Sequence, residues 1–287
     1  MLGRLSLDDH PSKFLPQLQG SAVDKATLLN LGTYTTGGLP LQFPDDISNE
    51  DKMVGYFREW EPAAAAGTQR RYSNPSIGLL GRGTALAMGG EFIDVLEGKL
   101  LPALGLRQSY VRVPESAMVD YAWGYGKANT PIRVNPGVFD AEAYGIKSPA
   151  ADMIRFVQAN IEPSRLGPAI SQAIAGTHVG YFQVGEMVQG LGWEQYPYPT
   201  SRERLAAGNA STMSLDAHAA SRLVHLRAPT AATLFNKTGS TGGFGAYAAF
   251  VPEQKIGVVM LANRNFPNWR RVQAAHAILT ELAAQRP

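Results

Sequence analysis

The chain has 287 residues, 45% of them apolar, a formal charge of +2 and no cysteine. That length and apolar content suit one large domain or two interleaved ones with a real core. Absent cysteine excludes disulfides and thiolate metal sites, and the scattered Lys and Arg, with only the short pairs Arg70-Arg71 and Arg270-Arg271, form no stripe for a nucleic-acid partner. Histidines at 10, 178, 218, 225 and 276 show no tight ligand spacing, so neither a metal nor any other cofactor is expected. No apolar run reaches the length of a membrane span.

The chain opens Met1-Leu2-Gly3-Arg4 and passes straight into Leu5-Ser6-Leu7-Asp8-Asp9, with no basic or apolar leader region; it reads as the middle of a domain and not as a secretory signal. An apolar stretch at 28–31 breaks at Thr33-Tyr34-Thr35-Thr36-Gly37-Gly38, a loop that Pro40, Pro44 and the polar run 45–52 extend, with Gln42 at its centre. Asn74 followed by Pro75 predicts a helix cap and first helical position, the helix running through Ile77, Leu79, Leu80 and Leu86 toward Gly89-Gly90. Helical spacing resumes at Phe92, Val95, Leu96 and Leu100, before Pro102. A third helix is signalled by Ser148 as cap, Pro149 and the first-turn acid Asp152, with Met153, Phe156, Val157 and Ile161 as its apolar face.

The carboxy-terminal part changes character. Strands are predicted at 234–238, 245–251 and 256–261, the last apolar enough to be buried on both faces, with a turn at Pro252-Glu253-Gln254-Lys255. Residues 269–282 return to helical spacing through Val272, Ala275, Ile278, Leu279 and Leu282. The fold class expected is α+β: a single domain, mainly helical with inserted loops over about 1–230, then sheet strands and a closing helix over about 231–287.

Two short motifs carry chemistry: Tyr72-Ser73-Asn74 and Lys237-Thr238-Gly239. Enzymes that acylate a serine with β-lactams or D-alanyl peptides combine such elements with a Ser-x-x-Lys nucleophile. Acyl transfer needs a nucleophile, a base, an oxyanion hole and a hold on the substrate carboxylate. Tyrosine ionises near pH 10, at about 10 in model peptides, so a tyrosine base needs neighbouring cations, and Lys237 is a natural one. Asn74 could orient a substrate carbonyl, the Ser240 backbone N–H could supply half of an oxyanion hole, and the Thr238 and Ser240 hydroxyls could bind a carboxylate.

The surrounding text resembles class C β-lactamases of the serine penicillin-recognising family through essentially the whole chain. The matching segments are 33–44, 71–79, 140–147, 236–247, 261–264 and 266–268. The resemblance implies a penicillin-binding-protein-like fold, a helical region on an antiparallel sheet. It implies Tyr72 as general acid/base, Lys237 and Thr238 as support for Tyr72 and the substrate carboxylate, and Ser240 as an oxyanion donor after Gly239. It further implies Gln42 and Asn74 on the acyl side-chain amide, Tyr144 as a pocket wall, and Asn268 and Arg271 near the carboxylate. The partner so implied is a β-lactam or a D-alanyl peptide-like small molecule, and the address periplasmic. No Glu-x-x-Leu-Asn segment of the class A kind is present, and esterase relatives of the same fold usually lack so complete a Lys-Thr-Gly-Ser strand.

One element does not match. The residues three places before the lysines are His10, Ala22, Asn49, Leu96, Gly124, Tyr144, Leu234 and Pro252, and none is serine. The resemblance therefore implies a chain lacking the nucleophile helix and first strands of the family, with doubtful turnover by itself. The alternatives are a non-catalytic β-lactam- or peptidoglycan-binding remnant, an inactive fragment, and an esterase relative of the family VIII kind. An open sheet edge is expected to favour a homo-oligomer.

Overall fold

The computed structural model describes residues 3–227 and 233–285; Met1, Leu2 and the boundary set near residue 230 fall outside them. A seven-stranded antiparallel sheet is its backbone. From one edge to the other its strands are Ile256–Ala262, Gly245–Val251, Thr233–Ser240, Glu194–Pro197, Met187–Gly190, Gly180–Val184 and Ser221–Arg227. Four of these precede residue 231 and carry no strong sequence signal, being short or polar and interrupted by glycine.

The side-chain period of two sorts the sheet into two apolar layers. Tyr247, Ala249 and Val251 pack with Val272, Ala275 and Leu279 of the closing helix Asn268–Ala284. Their neighbours Ala248 and Phe250 point the other way, to Val157 of the helix Ala150–Ile161 and to Trp193 and Phe235. A separate core formed by Leu15, Leu18, Leu28, Leu31, Phe57, Leu79 and Phe139 holds the helical region together.

Local chemistry moved several expected boundaries. Ser73, not Asn74, caps the helix Asn74–Ala87: its hydroxyl accepts from the Ser76 N–H at 3.1 Å. Ser148 does not cap Ala150–Ile161; Pro149 occupies that position and the Ser148 hydroxyl bonds that of Ser109 instead. Pro102 does not end its helix: Phe92–Val95 passes through a π turn at Leu96–Leu100 into Leu101–Ala103, where proline sits in a first turn that needs no N–H from it. The strand Ile256–Ala262 is not buried on both faces, because it ends the sheet, with Leu261 exposed and Val258 to Met260 only partly covered.

Gly78 marks the tightest helix contact. A Cβ there would lie 2.4 Å from the Phe139 ring, so only glycine lets Asn74–Ala87 approach the short helix Asp140–Ala143 this closely.

Candidate active site

A cleft of about 1310 Å³ opens between the helical region and the sheet. That volume is ample for a drug-sized ligand. Its walls include Gln42, Tyr72, Asn74, Tyr144, Lys237, Thr238, Gly239, Ser240 and Asn268. Of the residues singled out in the sequence, only Arg271 lies behind the wall, buried.

Tyr72 sits in the extended turn between the strand Gln69–Arg70 and the Ser73 cap. The Lys237 Nζ lies 4.7 Å from the centre of its ring and donates to the Thr238 carbonyl at 2.9 Å. A second cation approaches from within: the Arg70 guanidinium is 5.8 Å from the same ring and 5.5 Å from that of Tyr34. Arg70 is fully buried, and every nitrogen has an oxygen partner. Nε donates to Gln189 at 2.7 Å, and the two terminal nitrogens donate to the Met213 carbonyl at 2.6 Å and to Glu194 at 3.0 Å. Two cationic side chains therefore lie against the Tyr72 ring, Lys237 and the Glu194-paired Arg70. The sequence reading passed over Arg70, Gln189, Glu194 and Tyr34. Arg70 had a usable signal, since residues i and i+2 of an extended segment share a face and Tyr72 is two places on.

Asn74 is freed by the Ser73 cap. Its backbone N–H donates to the Leu41 carbonyl at 3.0 Å, tying the Gln42 loop to the helix start. Its amide makes no hydrogen bond among the described residues and faces the cleft.

The far end of the cleft is electropositive. Arg271 donates to the carbonyls of Gly239 at 2.6 Å, Ala246 at 2.7 Å and Phe266 at 3.1 Å, to the Ser240 hydroxyl at 2.7 Å and to Asn268 Oδ1. The Ser240 hydroxyl in turn donates to Asn268 Oδ1 at 3.4 Å. All these partners are neutral, and burial pulls the guanidinium below its ordinary range. A buried cation with no carboxylate among its bonds leaves this end suited to an anion. Tyr144 stands half-buried on the opposite wall, its phenol raised by burial and, secondarily, by the Asp140 carboxylate.

Among the described residues no group of His, Asp and Glu is placed to hold a metal, and no helix is long and apolar enough to cross a membrane.

Comparison with known proteins agrees with this architecture. The family model described as Beta-lactamase matches residues 2–283. A β-lactamase of Pseudomonas fluorescens is 52% identical over 280 residues, covering 98% of this chain and 78% of its own length. One of Lysobacter lactamgenus is 47% identical over 276 residues, 96% of this chain and 72% of that protein. Among solved structures, a β-lactamase/D-alanine carboxypeptidase from Pseudomonas syringae superposes with a TM-score of 0.95 at 44% identity, over 99% of this chain and 79% of that one. A class C β-lactamase in complex with cefoxitin gives 0.93 at 46% identity, over 97% of this chain and 78% of that one. The chain belongs to the β-lactamase family, in its class C branch.

Proposed function

We propose that the cleft recognises β-lactams, or the D-alanyl peptides they resemble, with Tyr72 as the general base for attack on the acyl carbonyl. The observation that carries this is the placement of Tyr72 between Lys237 and Arg70 at one end of a cleft whose other end is the uncompensated cation Arg271. An anionic ligand set with its carboxylate toward Ser240 and Asn268 would lay its carbonyl along the Lys237-Thr238-Gly239 strand. The unpaired Asn74 amide and the Gln42 loop are then available to the acyl side chain.

In this reading Tyr72, deprotonated, takes the proton of the attacking oxygen as that oxygen bonds to the carbonyl carbon. The Ser240 backbone N–H shares the charge that gathers on the carbonyl oxygen. When the C–N bond breaks, Tyr72 passes that same proton to the departing nitrogen, which restores the base. An acyl-enzyme on the serine of a Ser-x-x-Lys motif requires a nucleophile that this sequence does not contain, so we infer binding without efficient turnover by this chain alone. The periplasmic address implied by the resemblance belongs to the same proposal.

Calorimetry with cefoxitin, run beside nitrocefin hydrolysis and intact-mass spectrometry, tests it. Binding without an adduct and without turnover is expected. No binding at millimolar cefoxitin removes the proposal, and a stoichiometric adduct would reveal a substitute nucleophile, with Ser73, Ser76 and Ser240 the nearest serines to inspect.

A further inference from the structure

A short hairpin carries part of the cleft wall, and its own ladder is too small to hold it shut. Gly124–Tyr125 pairs with Pro131–Ile132 through Gly124 opposite Ile132 and Tyr125 opposite Pro131, and no further. Isolated ladders of this size are marginal in water. The ladder itself is tied to the sheet. The Tyr125 N–H donates to the carbonyls of Asn263 at 3.0 Å and Gly243 at 3.2 Å, and the Asn263 amide donates to the Trp123 carbonyl at 3.2 Å. Glycines permit the approach: a Cβ at Gly124 would lie 2.5 Å from the Phe244 ring, and one at Gly243 would lie 2.6 Å from Ile132.

The two legs that leave the ladder form the wall. Tyr121 and Ala122 on the incoming leg and Val134 on the outgoing one line the cleft. The outgoing leg then passes Gly137, where a Cβ would lie 3.3 Å from the Tyr144 hydroxyl, so this wall stands beside Tyr144. Beyond the ladder one side chain joins the legs. The Arg133 guanidinium lies 4.3 Å from the centre of the Tyr121 ring and 4.2 Å from that of Trp123, and a terminal nitrogen donates to the Tyr121 carbonyl at 2.6 Å. That carbonyl is its one hydrogen-bond partner among the described residues, and its buried Nε has none. Contact with two aromatic faces, which a planar guanidinium suits, is what accounts for its position.

We propose that Arg133 is a positioning residue that sets specificity: by holding the Tyr121 leg to the Val134 leg it fixes the shape of the cleft beside Tyr144, so that ligands with a compact acyl side chain are accepted and bulky ones disfavoured. The proposal rests on the reading of the cleft as a site for β-lactams or D-alanyl peptides. Arg133 and Trp123 do not line the cleft, so Arg133 acts through Tyr121 and Val134 and not by touching the ligand. The basis is a difference in deformation. A compact side chain leaves the legs as they stand, whereas a larger one must part them and break the contact of Arg133 with one or both rings. A contact that only the wrong ligand has to break is a repulsive element of specificity.

The test uses two penicillins with the same nucleus: benzylpenicillin, with a phenylacetyl side chain, and piperacillin, whose side chain adds a dioxopiperazine carboxamide. Calorimetry gives the affinity of each for the full chain, and hydrogen–deuterium exchange of residues 121–136 reads the legs without ligand. In Arg133→Ala the preference for benzylpenicillin over piperacillin narrows by about fivefold, the worth of one exposed cation–π contact, and exchange in the legs quickens. Trp123→Ala, which removes one ring outside the cleft, narrows the preference in the same direction and serves if Arg133→Ala folds poorly. Intact benzylpenicillin binding with an unchanged preference in both variants overturns the proposal and spares the site reading. Affinity for both penicillins falling by one common factor makes Arg133 a structural residue only, and unchanged exchange shows that other contacts hold the legs; either result overturns the proposal equally. If neither penicillin binds the unaltered chain at millimolar concentration, the site reading falls and the role of Arg133 falls with it.

Discussion

Lys237 faces Tyr72 from within the central strand Thr233–Ser240, its ammonium 4.7 Å from the centre of the phenol ring, with one backbone carbonyl as its hydrogen-bond partner among the described residues. It is partly exposed to the cleft, so two of its three donors are available to a ligand. Lys237→Gln keeps much of the length and removes the charge. The expected result is cefoxitin affinity lower by about 10–100-fold, the range for a lost charged hydrogen bond, with the melting temperature nearly unchanged. Calorimetry reads the affinity; a loss under about threefold would take Lys237 out of the binding site.

His178 gives the fold a pH dependence of its own. It is buried between Phe235 and Phe250, bonded to Asn160 at 3.0 Å, and burial lowers its pKa from 6.5 to about 4. As pH falls, the unfolded chain takes up this proton before the folded one does. The contribution is fully present above about pH 6.5 and is lost progressively toward pH 4, amounting to about 3 kcal/mol at most. Urea midpoints for the native chain and His178→Gln should therefore diverge less at pH 4.5 than at pH 7. Parallel pH profiles would contradict the assignment.

Gly78→Ala sets two effects against each other. Alanine favours an interior helical position by about 1 kcal/mol over glycine. The new Cβ would meet the Phe139 ring at 2.4 Å, and Phe139 is itself buried with a φ of +61°, so it has little freedom to retreat. Overpacking costs about 1–3 kcal/mol and should win, lowering the melting temperature. A stabilised variant would show that the helix pair separates easily.

The edge strand Ile256–Ala262 contains no charge and no proline, and its outer side has no ladder partner among the described residues. Such edges pair with other chains. Light scattering of the unaltered chain should show mass rising with concentration, and Leu261→Lys, at an exposed position, should suppress the rise. A monodisperse monomer at every concentration would mean the edge is harmless.

How much of this was legible beforehand depends on chain distance. Tyr72, Asn74 and Lys237 stand in contiguous motifs, and the resemblance to a family in which those motifs converge, not local periodicity, is what implied one cleft around them. Tyr34, Gln189 and Glu194 enter the site through side-chain contacts over long separations, which no local pattern encodes. The cap was misread because Ser73 and Asn74 are both good cap residues, and Pro75 suits either choice. The run 256–261 looked two-sided because periodicity reports apolar composition, while position in the sheet depends on which strands pair.

The Arg70 guanidinium finds Gln189 and Glu194 only across 119 and 124 residues of chain. During synthesis at about 5–20 residues per second, those partners emerge roughly 6–25 s after Arg70 does. For that interval the cation that will sit beneath Tyr72 lacks both of its side-chain acceptors. The cleft is thus among the last features a nascent chain can complete, and a chain arrested before residue 194 would carry the Tyr72 motif with no built floor beneath it.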